Sequence, residues 1–352
     1  MRLAIVTDAW MPQVNGVVTV LRALVRELAP LGVDTTVLHP GCGPTWPLPG
    51  YAEIRVAGRP WRIGDWLRDA RPDAVHIATE GPLGWAARRW LVAAGWRFTT
   101  AMHSKFPEYL ALRTGLPARF GYALLRRFHA PSSTLVVQTE SQRRELLALG
   151  FSRMAVVGGG VDTVRFRPLP RGARPNSRDC VRAGGGAGAL FVGRVAVEKG
   201  LPAFLQLDLP VPKVVVGDGP AREALQRQYP EVDFRGFLHG DALVQAFSDA
   251  DVLVFPSRTD TFGLVLLEAL ACSTPVAAFP VTGPNDLVQE GVSGALDIDL
   301  GAAVRRALTL PREHCRPRAE AHRWADVAQR FLDVQVPVHG GAMRCHAMDV
   351  AA

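Results

Sequence analysis

Charged side chains and glycines that could bind a phosphorylated ligand are concentrated in the third quarter of this 352-residue chain. The segment GRVAVEKG carries Arg194 and Lys199, and the segment GDGP begins at Gly217. Further along, Asp260 and Glu268 are separated by seven residues. Paired cations suit a diphosphate, glycines permit close backbone approach, and a carboxylate can accept hydrogen bonds from both hydroxyls of a ribose. Together these residues predict a site for a sugar nucleotide.

Each of these segments follows an apolar run that is typical of a buried strand. The predicted strands are Leu190–Val192, Lys213–Val216 and Val252–Phe255. A helix is predicted from Gly263, and its first free N–H groups (Phe262, Gly263, Leu264) would bind phosphate oxygens. Glu268 lies about one and a half turns into that helix. Because the carboxyl ends of parallel strands share one edge of a sheet, the motifs should converge there.

The first half of the chain repeats the alternation of strands and helices. We therefore predict an α/β protein with two doubly wound, Rossmann-like domains facing a central cleft. A stretch rich in Gly, Pro and Arg predicts a linker between them, and the last residues lack periodicity, which predicts disorder. The predicted divisions are a first domain over residues 1–170, a linker over 171–187, a second domain over 188–312, a helix within 313–335 and a tail over 336–352.

Three segments of the first half end strands or begin helices in positions that suit a ligand. Asn15 and Gly16 stand where the first loop meets its helix, so that backbone could approach a phosphate. His103 follows the predicted strand Phe98–Met102, and Glu80 lies in HIATEGPLG beside another strand end. His103 could face the cleft and Glu80 could orient an acceptor hydroxyl. A loop histidine bonded to backbone and a simple approach to a helix are the alternatives.

Positive charge and tryptophan are both enriched in the first half. Residues 1–170 hold 21 Lys and Arg against 12 Asp and Glu, whereas residues 171–352 hold 19 against 21. Seven of the eight tryptophans also lie in the first half. This pattern favours an anionic membrane surface or an acidic acceptor as partner, with a solvated arginine surface and core tryptophans as the alternative.

The remaining composition bounds the class of protein. No apolar run approaches the ~20 residues of a membrane span, and the N-terminus lacks the features of a signal peptide. Five scattered cysteines without a CxxC pair favour a reducing cytosol. We expect a cytoplasmic protein, peripheral on the inner face of the membrane. Short Asp-x-Asp matches occur by chance too often to assign a metal, so we predict no metal, no cofactor besides the donor and no nucleic acid partner.

These motifs in combination resemble the retaining glycosyltransferases of family 4, group 1, which have the GT-B fold. The resemblance covers about residues 1–335, and its marks are NGV near Gly16, HIATEGPLG, GVDTVRFRP, GRVAVEKG, GDGP and FGLVLLEAL. It implies that Gly16, Arg194 and Lys199 hold the donor diphosphate, with Gly217 in the donor site. It further implies that Glu268 holds the ribose and that the C-terminal helix crosses back onto the first domain. It also implies that the donor sugar and phosphates lie along Phe262, Gly263 and Leu264. The base would be framed by Arg235 and Phe237, and His103 would lie near the reacting centre.

One residue departs from the family pattern. The family places glutamates at both ends of the seven-residue spacer, whereas here the first is Asp260, which is one methylene shorter. We therefore predict that the protein transfers a hexose, with retention of configuration, from a UDP-sugar or GDP-mannose to an acceptor hydroxyl on a lipid or glycan. Its catalytic residues would be His103, Asp260, Arg194 and Lys199. The alternatives are a non-catalytic sugar-nucleotide-binding protein and a sugar-nucleotide epimerase, whereas a dehydrogenase is disfavoured because the first loop lacks GxGxxG.

Overall fold

The computed structural model describes residues 1–13, 15–48, 51–171 and 188–340. The chain forms two compact units, one of residues 1–159 with the C-terminal segment from Trp324, the other of residues 160–323. We call them unit 1 and unit 2. Each is built around a parallel sheet, which confirms the predicted α/β class with two doubly wound domains. Within the described residues, no helix is long and apolar enough to cross a bilayer.

Unit 1 contains a six-stranded sheet with the strand order β2-β1-β5-β6-β7-β8, and its paired strands run parallel. A separate antiparallel hairpin, β3-β4, was not predicted. The elements in chain order are β1 (Arg2–Val6), α1 (Gly16–Leu28), β2 (Asp34–Leu38), β3 (Thr45–Leu48), β4 (Tyr51–Ala57), α2 (Ile63–Ala70), β5 (Ala74–Ile77), α3 (Pro82–Ala93), β6 (Thr99–Ala101), α4 (Phe106–Thr114), α5 (Ala118–His129), β7 (Thr134–Val137), α6 (Glu140–Ala148) and β8 (Met154–Val156).

The central strands of unit 1 are apolar because helices cover both faces of the sheet. All four residues of β5 are buried, and α1 buries one side through Val18, Leu21, Leu24 and Leu28. Four of the first-half tryptophans pack against this core, namely Trp66, Trp85, Trp90 and Trp96. Core packing therefore accounts for much of the tryptophan enrichment, while Trp46 and Trp61 remain 67% and 70% exposed.

Unit 2 contains a second six-stranded parallel sheet with the order β11-β10-β9-β12-β13-β14. Its four-residue strand β12 is entirely buried, as the apolar run predicted. The elements are β9 (Ala189–Val192), α7 (Leu201–Leu205), β10 (Lys213–Val216), α8 (Arg222–Gln228), β11 (Asp233–Gly236), α9 (Asp241–Asp249), β12 (Val252–Phe255), α10 (Leu264–Ala271), β13 (Val276–Ala278), α11 (Pro284–Leu287), β14 (Gly294–Leu296), α12 (Leu300–Ala307) and α13 (Arg316–Glu320).

The boundaries of the units differ from the predicted divisions at 170 and 312. The segment after Gly160 belongs to unit 2 because Val161 and Phe166 lie in its core. Helix α13 also belongs to unit 2, since Cys315 and Ala319 fill the same core. Only the last helix, α14 (Trp324–Asp333), returns to unit 1, where it packs against α1. The predicted linker falls almost wholly on residues 172–187, outside the described residues.

The predicted disordered tail divides in two. Residues 336–340 are described, and the backbone of Val338 exchanges hydrogen bonds with Asp73 and Arg97 of unit 1. The sequence did not predict this segment, because its pairing with unit 1 is made by single extended residues. Such isolated contacts leave no helical or strand periodicity. Residues 341–352 lie outside the described part of the chain.

Arg316 is the residue that ties helix α13 to the rest of unit 2. Its guanidinium donates hydrogen bonds to the carbonyl oxygens of Phe166 (3.2 Å), Ala271 (2.7 Å) and Thr163 (3.1 Å). One side chain thus joins the first loop of the unit, the end of α10 and α13.

We expect Arg316→Ala to lower the free energy of unfolding of unit 2 by about 2–3 kcal/mol, because carbonyls in a partly buried site would lose a charged donor. Arg305→Ala is the matched control, since Arg305 pairs with Asp299 on the surface with both side chains more than half exposed. That control should change stability by less than about 1 kcal/mol. Urea unfolding monitored by circular dichroism measures both, and equal effects of the two substitutions would contradict the role of Arg316.

Candidate functional site

The motifs of unit 2 meet at the point where its strand order reverses. Strands β9 and β12 are neighbours, and the chain proceeds from β9 toward one edge and from β12 toward the other. Loops that leave such neighbouring strands at their carboxyl ends diverge and open a crevice, which is where open α/β sheets bind ligands. The loop after β9 carries Arg194 and Lys199, and the loop after β12 carries Asp260. The strand order therefore brings together the residues that the sequence singled out.

An ion pair joins these two loops directly. The Lys199 ammonium donates to both carboxylate oxygens of Asp260, at 2.6 and 2.8 Å. A second link runs alongside, since the Thr259 hydroxyl donates to the carbonyl oxygen of Glu198 at 3.1 Å. Asp260 and Lys199, both predicted to be catalytic, thus contact each other directly. Both side chains remain partly exposed, at 26% and 15%.

The glycine turn after β10 packs against the loop after β9. A Cβ atom on Gly217 would lie 1.9 Å from the carbonyl oxygen of Gly193, and φ of Gly217 is +131°. The backbone N–H of Val195 donates to the carbonyl of Asp218 at 2.9 Å. Glycine is required here by the close approach of two protein backbones. The turn supports the loop around Arg194, which is half-buried at the end of β9.

The start of helix α10 lies at the end of the same crevice-forming loop. Gly263 precedes the helix with φ of +85°, a conformation that favours glycine. The N–H groups of the first helical residues have no acceptor inside a helix, so Leu264 and its neighbours can bind an anion. The side chain of Phe262 is 7% exposed and packs in the core. Any contact of Phe262 with a donor would therefore use its backbone and not its ring.

Glu268 carries the most perturbed carboxylate of this region. Burial raises its pKa to about 7, and the positive charge of Arg165 partly offsets that rise. The carboxylate accepts no hydrogen bond and forms no ion pair with the described residues. A half-buried carboxylate with unused acceptor capacity suits the paired hydroxyls of a ribose, because their hydrogen bonds would replace lost hydration.

Of the residues predicted to frame the base, Arg235 lies in β11 and Phe237 directly follows that strand. Arg235 is bound to Asp233 by an ion pair of 2.7 Å. Phe237 is 55% exposed, and its ring stacks on that of His239 with centroids 6.1 Å apart and planes at 14°. An exposed, oriented aromatic ring offers a face on which a planar base can stack.

In unit 1, the predicted residues at the first helix divide into a structural cap and an open position. The Asn15 side chain accepts a hydrogen bond from the Val18 N–H at 3.0 Å and donates to Gln13 at 3.2 Å, so it caps α1. A Cβ on Gly16 would meet nothing within 4 Å, and its φ is not positive. No contact among the described residues requires glycine at this position. The remaining explanation for Gly16 is a ligand that approaches its backbone.

His103 and Glu80 lie in one buried polar cluster of unit 1. Burial lowers the pKa of His103 to about 4, although the charge of Glu80 acts in the opposite direction. Glu80 also lies 3.3 Å from Nε2 of His129, whose Nδ1 contacts the Thr100 hydroxyl at 2.9 Å. His103 is therefore neutral at pH 7 and can donate or accept one hydrogen bond. Because Glu80 already contacts His129, an acceptor hydroxyl that bound the Glu80 carboxylate would share it with His129.

Asp8 is a residue that the sequence analysis left without a role. Its carboxylate accepts hydrogen bonds from the N–H groups of Leu83 (2.8 Å) and Gly84 (3.2 Å) and from the Thr79 hydroxyl (2.9 Å). Asp8 thus fills the N-terminus of α3, where an anion would otherwise bind. The sequence signal for this contact was an Asp just after the first strand together with the segment HIATEGPLG. Glycine at position 81 makes space for Asp8, because a Cβ there would lie 2.4 Å from the Asp8 carboxyl carbon.

Comparison with known proteins shows a family that covers both units. The sequence profile of Glycosyltransferase Family 4 matches residues 14–165, and that of Glycosyl transferases group 1 matches residues 187–309. A GDP-mannose-dependent alpha-mannosyltransferase of Mycobacterium tuberculosis (strain CDC 1551 / Oshkosh) is 30% identical over 327 residues, covering 84% of this chain and 83% of the relative.

Two further similarities extend over nearly the whole chain. A GDP-mannose-dependent alpha-(1-6)-phosphatidylinositol dimannoside mannosyltransferase of Mycobacterium tuberculosis (strain ATCC 25177 / H37Ra) is 25% identical, covering 94% of this chain and 95% of the relative. Sucrose-phosphate synthase from Thermosynechococcus elongatus superposes with a TM-score of 0.73 at 18% identity, covering 95% of this chain and 98% of that one. This last likeness shows the GT-B fold.

The raised pKa of Glu268 leads to a prediction about stability. The folded protein holds a proton on Glu268 over the pH range from about 4.5 to 7 in which the unfolded chain has lost it, so burial of this group lowers stability as pH rises through that range. We expect Glu268→Gln to leave Tm nearly unchanged at pH 5 and to raise stability by about 2 kcal/mol at pH 8. The same substitution should weaken binding of a ribonucleotide.

Thermal unfolding at both pH values tests this expectation. Glu223→Gln is the matched control, because Glu223 is an exposed residue of α8 and its substitution should shift Tm equally at both pH values. A Glu268→Gln effect that is the same at pH 5 and pH 8 would show that desolvation does not set the pKa of this carboxyl.

Proposed function

Because the chain belongs to the family 4, group 1 glycosyltransferases, we propose that it transfers mannose from GDP-mannose to a hydroxyl of a membrane lipid or glycolipid with retention of configuration. Its use of a nucleotide-sugar donor follows from the family. The choice of GDP-mannose is supported by the relative that is 30% identical, a GDP-mannose-dependent alpha-mannosyltransferase. The choice of a lipid-linked acceptor is supported by the phosphatidylinositol-linked substrate of the second relative and by the basic first half.

The observation that carries the proposal is the pairing of Lys199 with Asp260 across the loops that follow β9 and β12, with Glu268 on α10, the helix into which the second loop leads. We assign Lys199 and Arg194 to the diphosphate, where two cations stabilise the charge that builds on the leaving group. Interactions that strengthen as the bond breaks accelerate the reaction, whereas those present equally in the bound substrate do not.

Glu268 is assigned to the ribose. Hydrogen bonds donated by two hydroxyls favour the ionised carboxylate, so donor binding would lower its pKa from about 7. Donor affinity should accordingly increase as pH rises through 7, because the unbound protein then no longer holds the proton.

The proposed chemistry is displacement on one face of the sugar. The departing diphosphate oxygen takes the proton of the acceptor hydroxyl as the new glycosidic bond forms, so no covalent intermediate on the protein is needed. Neutral His103 would contact a sugar hydroxyl, and Asp260 would exchange its contact with Lys199 for one with the sugar. Catalysis then consists mostly of positioning and leaving-group stabilisation.

The defining experiment is incubation of the purified chain with labelled GDP-mannose and a polar lipid extract containing phosphatidylinositol. Label in the lipid phase that α-mannosidase releases would support retaining transfer to lipid. A donor that binds, as shown by thermal shift, without any transfer would favour the non-catalytic alternative. Conversion of the donor sugar without acceptor would favour an epimerase.

We predict that Lys199→Ala lowers kcat by roughly 10²–10³, as expected for loss of one electrostatic stabiliser of a leaving group. GDP should still stabilise the variant in a thermal-shift assay, because Glu268 and the base contacts remain. Arg305→Ala, an exposed cation of the same unit, is the control and should keep full turnover. Near-full turnover of Lys199→Ala with GDP bound would remove Lys199 from the mechanism.

The proposal is also metal-independent, because Arg194 and Lys199 supply the positive charge that a divalent ion would otherwise provide. Treatment with EDTA should therefore leave the transfer rate unchanged, and added Mg²⁺ or Mn²⁺ should not rescue Lys199→Ala. A rate that falls with EDTA and returns with one of these ions would overturn this part of the proposal.

A further inference from the structure

The outward side of helix α5 in unit 1 exposes a continuous apolar row. Phe120 is 58% exposed and Leu124, one turn later, is 54% exposed. Leu116, just before the helix, is 55% exposed. Residues four apart lie one above the other on a helix, so Phe120 and Leu124 share one side of α5, and Leu116 precedes the first turn of the helix. We call these three exposed side chains the strip. Three large apolar side chains with over half their surface in solvent form an unusual local patch.

Cations flank this strip, and α5 contains no acidic residue. Arg119 and Arg127 are both exposed, and Ala123 lies between them on the helix surface. The Arg119 guanidinium lies over the ring of Phe120, 5.0 Å from its centroid. The acidic residue of the neighbouring helix α4, Glu108, accepts a hydrogen bond from the Tyr122 hydroxyl on the inner side of α5. The outward side therefore combines apolar and positive groups.

The inward side of α5 is firmly packed, so the exposed row is not a displaced core face. Leu125 and Phe128 are buried in the unit 1 cores. Arg88 of α3 donates to the backbone carbonyls of Arg127 and Phe128, both at 2.8 Å, and holds the last turn in place. The helix is thus a fixed support for its outward side chains.

We propose that the strip of Leu116, Phe120 and Leu124 inserts into the interface of an anionic lipid bilayer, with Arg119 and Arg127 at the phosphate level. This inference rests on the proposed function, since it names the surface from which a lipid acceptor would be reached. Apolar side chains enter the acyl boundary while the guanidinium groups beside them pair with phosphates. Charge complementarity selects this occupant, because the charged side chains of α5 are arginines, which fit an anionic surface.

The test is sedimentation of the full chain with phosphatidylcholine vesicles that contain or lack phosphatidylglycerol, at low salt. We expect binding only to the anionic vesicles. Phe120→Ser/Leu124→Ser should weaken that binding by on the order of tenfold or more, because both apolar contacts are lost. Arg119→Gln/Arg127→Gln should cause a loss of similar order and reduce the dependence on phosphatidylglycerol.

Two matched variants keep the assignment specific to α5. Ile298→Ser removes a side chain that is 80% exposed in unit 2, and Trp61→Ser removes an aromatic residue 70% exposed elsewhere in unit 1. Both should bind anionic vesicles like the unmodified chain. Unchanged binding of Phe120→Ser/Leu124→Ser, or a loss caused by Trp61→Ser alone, would overturn the proposal.

A parallel thermal-shift measurement with GDP-mannose separates this inference from the proposed function. All four variants should retain the donor-induced shift, which also shows that they are folded. A donor shift without vesicle binding by the unmodified chain would overturn the surface and leave donor use intact. Vesicle binding through α5 without any donor shift would support the surface while contradicting GDP-mannose as donor.

Discussion

The ion pair between Lys199 and Asp260 is the interaction on which the proposed donor site of unit 2 depends. It holds together two loops that leave neighbouring strands and would otherwise diverge. An unpaired Lys199 and an unpaired Asp260 in a partly buried crevice would each lose hydration without compensation. A phosphate can replace Asp260 as the partner of Lys199, and a sugar hydroxyl can replace Lys199 as the partner of Asp260. The pair therefore holds both groups in position until a donor exchanges their contacts.

Glu268 shows the opposite solution to the same electrostatic problem. No described residue neutralises its carboxylate, so burial raises the pKa to about 7 and the folded protein is less stable near neutral pH than it would be with an amide. Such a cost persists where a ligand supplies the missing hydrogen bonds. A bound donor would therefore interact with the two residues in different ways. It would compete with Asp260 for Lys199, whereas it would supply Glu268 with the hydrogen bonds that the protein does not provide.

The sequence predicted β9, β10, β12 and α10 of unit 2 and the loops that carry chemistry, because buried parallel strands are strongly apolar and glycine turns mark their ends. It could not predict that Lys199 contacts Asp260, since that contact depends on β9 and β12 being neighbours, and strand order is not written in local periodicity. The burial of the Phe262 ring could not be predicted for a related reason, since it depends on how the residues before α10 pack against the core of unit 2. Asp8 was missed because its partners lie more than seventy residues away, on α3.

Charge composition was the weakest guide, because the same residue type serves different purposes even within one unit. The guanidinium groups of Arg88 and Arg316 donate hydrogen bonds to backbone carbonyls and thereby stabilise helix ends and loops. Arg119 and Arg127 of α5, in contrast, remain exposed beside an apolar strip. The positive excess of the first half therefore cannot be read as one binding surface. What distinguishes a surface that binds lipid from a solvated one is the coincidence of exposed cations with exposed apolar side chains on a single fixed helix, and that coincidence becomes visible only when the inward side of the helix is known.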